Sequence, residues 1–274
     1  MLEVPISWQL AKVAVSVGMV LGLGAIAVRV SPKIAGLLSG YPLGTALALF
    51  FIGLEISPTF AAESAIHTLA GFTATMALGA GYWLCGRKPG LKGVLIGITG
   101  AITAWFIVSL VLAQFEFTRL TGTLVTLCAI VFFTWIFQRI PDSLATSRQS
   151  FSWGTLCIRA LLATVIIFAI TSLAHWVPPA WAGTLAAFPV TMLPFLLILH
   201  ISQGPAPTAT VIKHYPMGLG SLLSYALCVS YTYETLGIAL GTLAGFGVAT
   251  LWLLGWLQAQ RWLVARRAPR RQAT

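Results

Sequence analysis

Nine apolar stretches, each about 18 residues or longer and separated by short polar breaks, leave this chain few ways to fold. A run of that length crosses a hydrocarbon layer of ~30 Å as a helix whose backbone groups are paired internally. Composition agrees: of 274 residues 58% are hydrophobic and 8% are charged, and the mean hydropathy is +0.92. An average soluble domain is roughly a quarter charged. The apolar and polar alternation of a membrane β-barrel is missing from runs such as Val13 to Val28 and Val125 to Phe137. The expected fold is all-α, a polytopic integral membrane protein. Its spans are expected at about 8–30, 33–54, 62–85, 92–113, 119–138, 154–176, 180–201, 208–231 and 234–260.

The first span is not read as a cleavable signal, because no basic stretch precedes it and it is longer than a signal core. Cys85, Cys128, Cys157 and Cys228 stand singly with no CxxC spacing, so they read as small packing residues and not as a disulfide or zinc framework. The net charge of +10 does not point to nucleic acid, because it is distributed by loop. With the N-terminus outside, all the basic loop residues except Arg119 face the cytoplasm, while Glu3, Glu55, Glu63, Glu116 and Glu234 face the other side. That asymmetry is the positive-inside pattern and fits a multi-pass protein of a bacterial-type inner membrane with a cytoplasmic C-terminus. The basic tail, residues 261–274, can also hold anionic lipid headgroups.

A gapless shift of 147 positions lays Pro32 to Gly71 on Pro179 to Gly218 with ten matches in forty positions, where roughly three or four are expected for so biased a composition. The matches include Pro32 with Pro179, Gly36 with Gly183, Pro42 with Pro189, Pro58 with Pro205, His67 with His214 and Gly71 with Gly218. The same shift pairs Lys12 with Arg159, Gly90 with Gly237 and Trp105 with Trp252. Four spans therefore repeat, as residues 1–115 and 151–260, with a linking helix and loop at 116–150. Equivalent spans lie five crossings apart, an odd number, so the second copy enters the membrane from the opposite side. The plan resembles that of small inverted-repeat permeases of the drug/metabolite transporter type, a resemblance of architecture, which implies alternating access between two symmetry-related states.

Each copy carries a proline near the centre of its second span, in Gly40-Tyr41-Pro42 and in Ala187-Phe188-Pro189, and the second copy adds Pro194. A central proline removes one helical N–H and frees a carbonyl, which in lipid is tolerated where a cavity or a packed interior takes it up. Tyr41, Pro42, Thr45, Phe188, Pro189, Thr191 and His200 are thus the expected substrate-binding residues, with Thr45 and Thr191 able to bond the freed carbonyls. Pro42 and Pro189 are expected close together at the midplane, beside the largest internal cavity. Ionisable groups within membrane segments are functional candidates by default. Glu55, Glu63 and His67 form the expected proton-coupling set, with Lys12, Arg159 and His214 as charge partners, although Lys12 and Arg159 can equally snorkel to the headgroups. Ser57 before Pro58 reads as a helix cap.

No phosphate loop, HExxH or paired CxxC occurs, so no cofactor, resident metal or enzymatic activity is expected. The leading expectation is a secondary transporter, proton-coupled, for a small polar or organic-anion solute. The alternatives are a flippase for a lipid-linked or phosphate-bearing head group, a transition-metal transporter using a Glu/His site, and a membrane enzyme or accessory scaffold. Expected partners are a small-molecule substrate and membrane lipid, with a homodimer compatible and nucleic acid excluded.

Overall fold

The computed structural model describes residues 12–15, 17, 18, 21, 32–143 and 153–267. The described residues are helical with no strand: α1 (Pro32–Ser39), α2 (Leu43–Glu55), α3 (Pro58–Cys85), α4 (Gly90–Leu112), α5 (Arg119–Phe137), α6 (Trp153–Ala174), α7 (Pro179–Ala186), α8 (Met192–Gln203) and α9 (Pro205–Arg267). α9 is two arms, residues 205–236 and 238–267, joined at Gly237 with φ 78° and ψ 170°, a backbone region open essentially only to glycine. Among the described residues four helical stretches are long and apolar enough to cross a membrane: Gly90–Leu112, Arg119–Phe137, Gly154–Ala174 and Pro205–Gln260. Most of the first expected span, the basic tail after Arg267 and the loop at 144–152 lie outside the described residues.

Local chemistry sets the boundaries. Ser57 caps α3, its hydroxyl accepting from the Phe60 amide at 3.1 Å, with Pro58 at the first helical position as expected. Thr118 and Thr121 form a reciprocal capping pair at the start of α5. The second expected span is two helices, α1 and α2, and so is the seventh, α7 and α8; both are interrupted at the proline.

α3 is the hub, packed against α4, α5, α7 and α9, while α1 lies against α9. The outer faces of α4 and α5 are apolar, with Leu91, Phe106, Leu120, Val131 and Phe132 exposed. A continuous exterior of this kind is what a helix bundle presents to lipid. It also corrects the reading of the cysteines, since Cys85, Cys128 and Cys157 are exposed and only Cys228 is half-buried. In a membrane an apolar side chain gains little by facing inward, so hydrophobic character does not mark packing.

The close helix crossings come in reciprocal pairs. A Cβ on Gly36 would stand 2.6 Å from the Val211 carbonyl oxygen and 3.0 Å from the His214 Cβ. A Cβ on Gly183 would strike the Ser64 carbonyl oxygen and stand 2.8 Å from the His67 Cβ. Gly36 and Gly183, Ser64 and Val211, and His67 and His214 are each related by the same 147-position shift. Gly40 lies on the Gly218 backbone, and Ala187, its equivalent, puts its Cβ on Gly71, the equivalent of Gly218. α1 and the turn after it therefore touch α9 at positions 147 residues from those at which α7 and the turn after it touch α3. Of the three positive-φ glycines among the described residues, Gly90 (φ 75°) and Gly237 (φ 78°) are also 147 apart, each at the start of a helix, while the third, Gly204 (φ 87°), follows α8.

Candidate functional site

The two interrupted helices build the site. Pro42 and Pro189 cannot donate a backbone hydrogen bond, and each disfavours the helical region for the residue before it. The chain leaves the helix through one turn and re-enters through another, with the same bonds in both copies. The Tyr41 amide donates to the Leu38 carbonyl at 3.0 Å and the Leu43 amide to the Tyr41 carbonyl at 2.8 Å; the Phe188 amide donates to Leu185 at 3.0 Å and the Val190 amide to Phe188 at 2.8 Å. The Ala46 amide then reaches back to the Pro42 carbonyl and the Leu193 amide to the Pro189 carbonyl. Pro194 falls in the first turn of α8, where a missing N–H costs nothing.

The re-entry points meet. A Cβ on Gly44 would stand 2.7 Å from the Val190 Cβ, and beside this crossing lies a small cavity of about 10 Å³ lined by Ser39, Tyr41, Thr45, Phe188, Pro189, Thr191, Tyr215 and their neighbours. Neither Pro42 nor Thr191, the N-caps of α2 and α8, closes its helix with a side-chain bond. The first-turn amides of a helix have no intrahelical partner and carry roughly half a positive charge together. Thr45 and Thr191 are buried, line the cavity and make no side-chain hydrogen bond among the described residues. Two half-helix N-termini and two open hydroxyls thus converge on one small, partly open space. Its donors suit a small group rich in hydrogen-bond acceptors, an anionic one above all, and the space as it stands has room for about one water.

Aromatic side chains wall it. Tyr41 stacks on Phe246 with centroids 6.0 Å apart and its hydroxyl lies 3.0 Å from the Thr250 hydroxyl, while Phe188 stands edge-on to Trp105 at 5.3 Å. Each break packs its aromatic residue on the fourth helix of the other copy.

Five of the seven expected substrate-binding residues, Tyr41, Thr45, Phe188, Pro189 and Thr191, therefore share one cavity. Pro42 is buried next to it but off its wall, and the cavity is not the largest: a wider one, about 230 Å³, lies between the end of α3 and the start of α9 and is lined by Tyr82, Arg87, Pro205 and Thr208 among others. The freed Ala187 carbonyl is taken by the Thr75 hydroxyl at 2.5 Å, and Thr68 bonds the Gly183 carbonyl at 2.9 Å, so α3 supplies the hydroxyls that Thr45 and Thr191 were expected to supply. Thr68 and Thr75 are seven apart on one helix face, a signal present in the sequence.

His200 is placed elsewhere. It is 1% exposed, with Nδ1 2.9 Å from the Tyr82 hydroxyl and Nε2 2.9 Å from the Lys88 carbonyl. A carbonyl only accepts, so Nε2 carries a proton and donates to Lys88, while Nδ1 is partnered by the Tyr82 hydroxyl. The ring ties α8 to the turn between α3 and α4 and contacts no part of the cavity wall. Tyr82→Phe is expected to cost about 1–3 kcal/mol by leaving a buried ring nitrogen unbonded, read as a lowered Tm of the purified protein.

Lys12 does not snorkel. It is 2% exposed, forms an ion pair with the Glu55 carboxylate and donates to the Thr171 hydroxyl at 2.8 Å, with the Phe168 ring centroid 4.8 Å away. His175 approaches the second Glu55 oxygen at 3.4 Å. The expected coupling set is divided: Glu55 belongs to this cluster, Glu63 is exposed, and His67 is near Glu63, Glu116 and the Phe117 ring. His214 lies 2.9 Å from Asp142, which also pairs with Lys213 at 3.3 Å. Arg159 is 4% exposed under the Phe195 ring, its guanidinium carbon 4.6 Å from the centroid. Among the described residues no group of three His, Cys, Asp or Glu side chains is placed to hold a metal ion.

No family model, no curated protein and no solved structure matches the chain.

Proposed function

We propose that the protein is a secondary transporter of nine spans, made of two inverted four-helix repeats joined by α5, which moves a small organic anion by alternating access with proton coupling. The observation that carries this reading is the reciprocal contact set around the crossing of the two interrupted helices. When α1 and the turn after it meet α9 at positions 147 residues from those at which α7 and its turn meet α3, a pseudo-two-fold axis relates the halves, and two such halves can exchange conformations. Interrupted helices in corresponding positions, with half-helix N-termini facing a common cavity, are the arrangement by which transporters hold anionic solutes near the midplane.

Glu55 supports the coupling. It stands at the C-terminal end of α2 paired with buried Lys12, and in this reading the arrival of a proton breaks that pair and frees the end of the helix. Glu63 and His67 are then neighbours along a separate helix face. The N-terminus is assigned to the outside and the C-terminus to the cytoplasm on the distribution of Lys and Arg, with the deciding termini outside the described residues. The test is uptake into sealed proteoliposomes from a mixture of small metabolites, with and without an imposed pH gradient. Anion accumulation that rises when the gradient is imposed is the expected result. A protein that moves nothing across the bilayer under either condition is a scaffold and not a transporter.

A further inference from the structure

Lys12 and Arg159 are equivalent positions in the two halves, and their surroundings differ in one respect. Lys12 is neutralised within the chain by Glu55. The position equivalent to Glu55 is Ser202, whose hydroxyl donates to the Leu199 carbonyl at 3.3 Å and carries no charge. Arg159 is nevertheless as buried as Lys12, at 4% against 2% exposure, and its Nε and Nη1 have no hydrogen-bond partner. No acidic side chain among the described residues pairs with it. The Phe195 ring beneath it offers a cation–π contact, but a ring face leaves the edge donors of the guanidinium unmet.

A buried charge without a counter-charge is among the most costly features a membrane protein can carry, and it persists where something external completes it. We infer that Arg159 is a binding residue for an anionic oxygen group, a carboxylate or phosphate of a solute or lipid. This group takes the place that the Glu55 carboxylate holds in the other half. The guanidinium fork suits such a group, because two adjacent N–H donors match two oxygens of one acid. The unpaired Nε and Nη1 are the donors left for it. The inference rests on the transporter reading for its biological meaning, since a buried cation without a counter-charge of its own selects anions. The binding itself does not require transport.

The test is a thermal-stability titration of the full chain, purified in a neutral detergent at low ionic strength, with sodium acetate, sodium phosphate or sodium chloride added separately. A second arm uses nanodiscs of phosphatidylcholine with and without phosphatidylglycerol. Binding to the folded state alone raises Tm in a saturable manner, by roughly several degrees at concentrations well above Kd. Saturation by acetate or phosphate, with chloride weaker, assigns the group to a soluble solute; a shift seen only with phosphatidylglycerol assigns it to a headgroup. Arg159→Gln is expected to abolish the shift. Ser202→Glu, which builds into the second half the carboxylate that the first half already has, is expected to raise the anion-free Tm and to abolish the shift as well. No saturable response in either arm, or a response that survives both substitutions, overturns the inference. A response to acetate or phosphate together with no transport of any anion leaves the Arg159 site standing and removes the transporter reading. Transport whose KM is unchanged by Arg159→Gln does the reverse.

Discussion

Gly40→Leu is expected to abolish the folded protein, and Gly183→Leu to do the same. A side chain at Gly40 meets the backbone of Gly218, and one at Gly183 meets the Ser64 carbonyl oxygen. Backbone against backbone cannot give way as a flexible side chain can, so the cost exceeds the usual 1–3 kcal/mol of overpacking and is expected at about 3 kcal/mol or more. Glycines at such crossings let helices approach closely enough for packing to replace the hydrophobic drive that lipid does not supply. Gly247→Ala is the control. Nothing lies within 4 Å of a Cβ at that helical position, so it is expected to be neutral or to stabilise by up to roughly 1 kcal/mol. The yield of monodisperse protein and its Tm measure all three. Near-native stability of Gly40→Leu would mean that α1 and α9 do not meet as described, and the reciprocity would go with it.

Glu55→Gln is expected to destabilise the protein by about 3–5 kcal/mol, because it leaves the Lys12 ammonium buried without a carboxylate. The side chains are 3% and 7% exposed, so screening by solvent does little to reduce the effect. Lys12→Met is expected to cost a similar amount by stranding the carboxylate. The double variant, Lys12→Met with Glu55→Leu, is expected to recover most of the loss, since an apolar pair in place of a buried ion pair is commonly neutral or better. Denaturation midpoints of the single and double variants decide this, and additive losses would show that the two groups do not act as a pair. The same Glu55→Gln variant carries a functional readout. If protonation of Glu55 releases that end of α2, transport by the variant is expected to lose its dependence on an imposed pH gradient.

How much of this was legible in advance depends on what kind of constraint each feature obeys. The helical membrane class follows from apolar runs alone, because a bilayer admits so few backbone solutions. The 147-position recurrence was readable because five of its ten matches between Pro32 and Gly71 are glycines and prolines, which answer to the backbone more than to side-chain chemistry. Gly36, Gly183, Gly71 and Gly218 turn out to be points where helices touch, and Pro42 and Pro189 the points where they break. The cavity wall was legible for the same reason, since it is made by the residues around those prolines. Pairings between distant helices were not. Nothing in the local sequence joins Glu55 to Lys12 and His175 in preference to Glu63 and His67, and nothing joins the Thr75 hydroxyl to the Ala187 carbonyl. His200 was assigned to the substrate by its position after the broken helix, yet its partners Tyr82 and Lys88 lie more than a hundred residues away and saturate both ring nitrogens. The cysteines were misplaced because in lipid the outside of a bundle is as apolar as its inside.

The central claim is that the cavity at the crossing of the interrupted helices opens in turn to each side of the membrane. Its most direct test is Thr45→Cys in a background where Cys85, Cys128, Cys157 and Cys228 are replaced by Ala, labelled with a membrane-impermeant thiol reagent in sealed right-side-out and inside-out vesicles. The account predicts labelling from both faces, each slowed when a bound anion occupies the cavity. Labelling from one face only, or from neither, would contradict it.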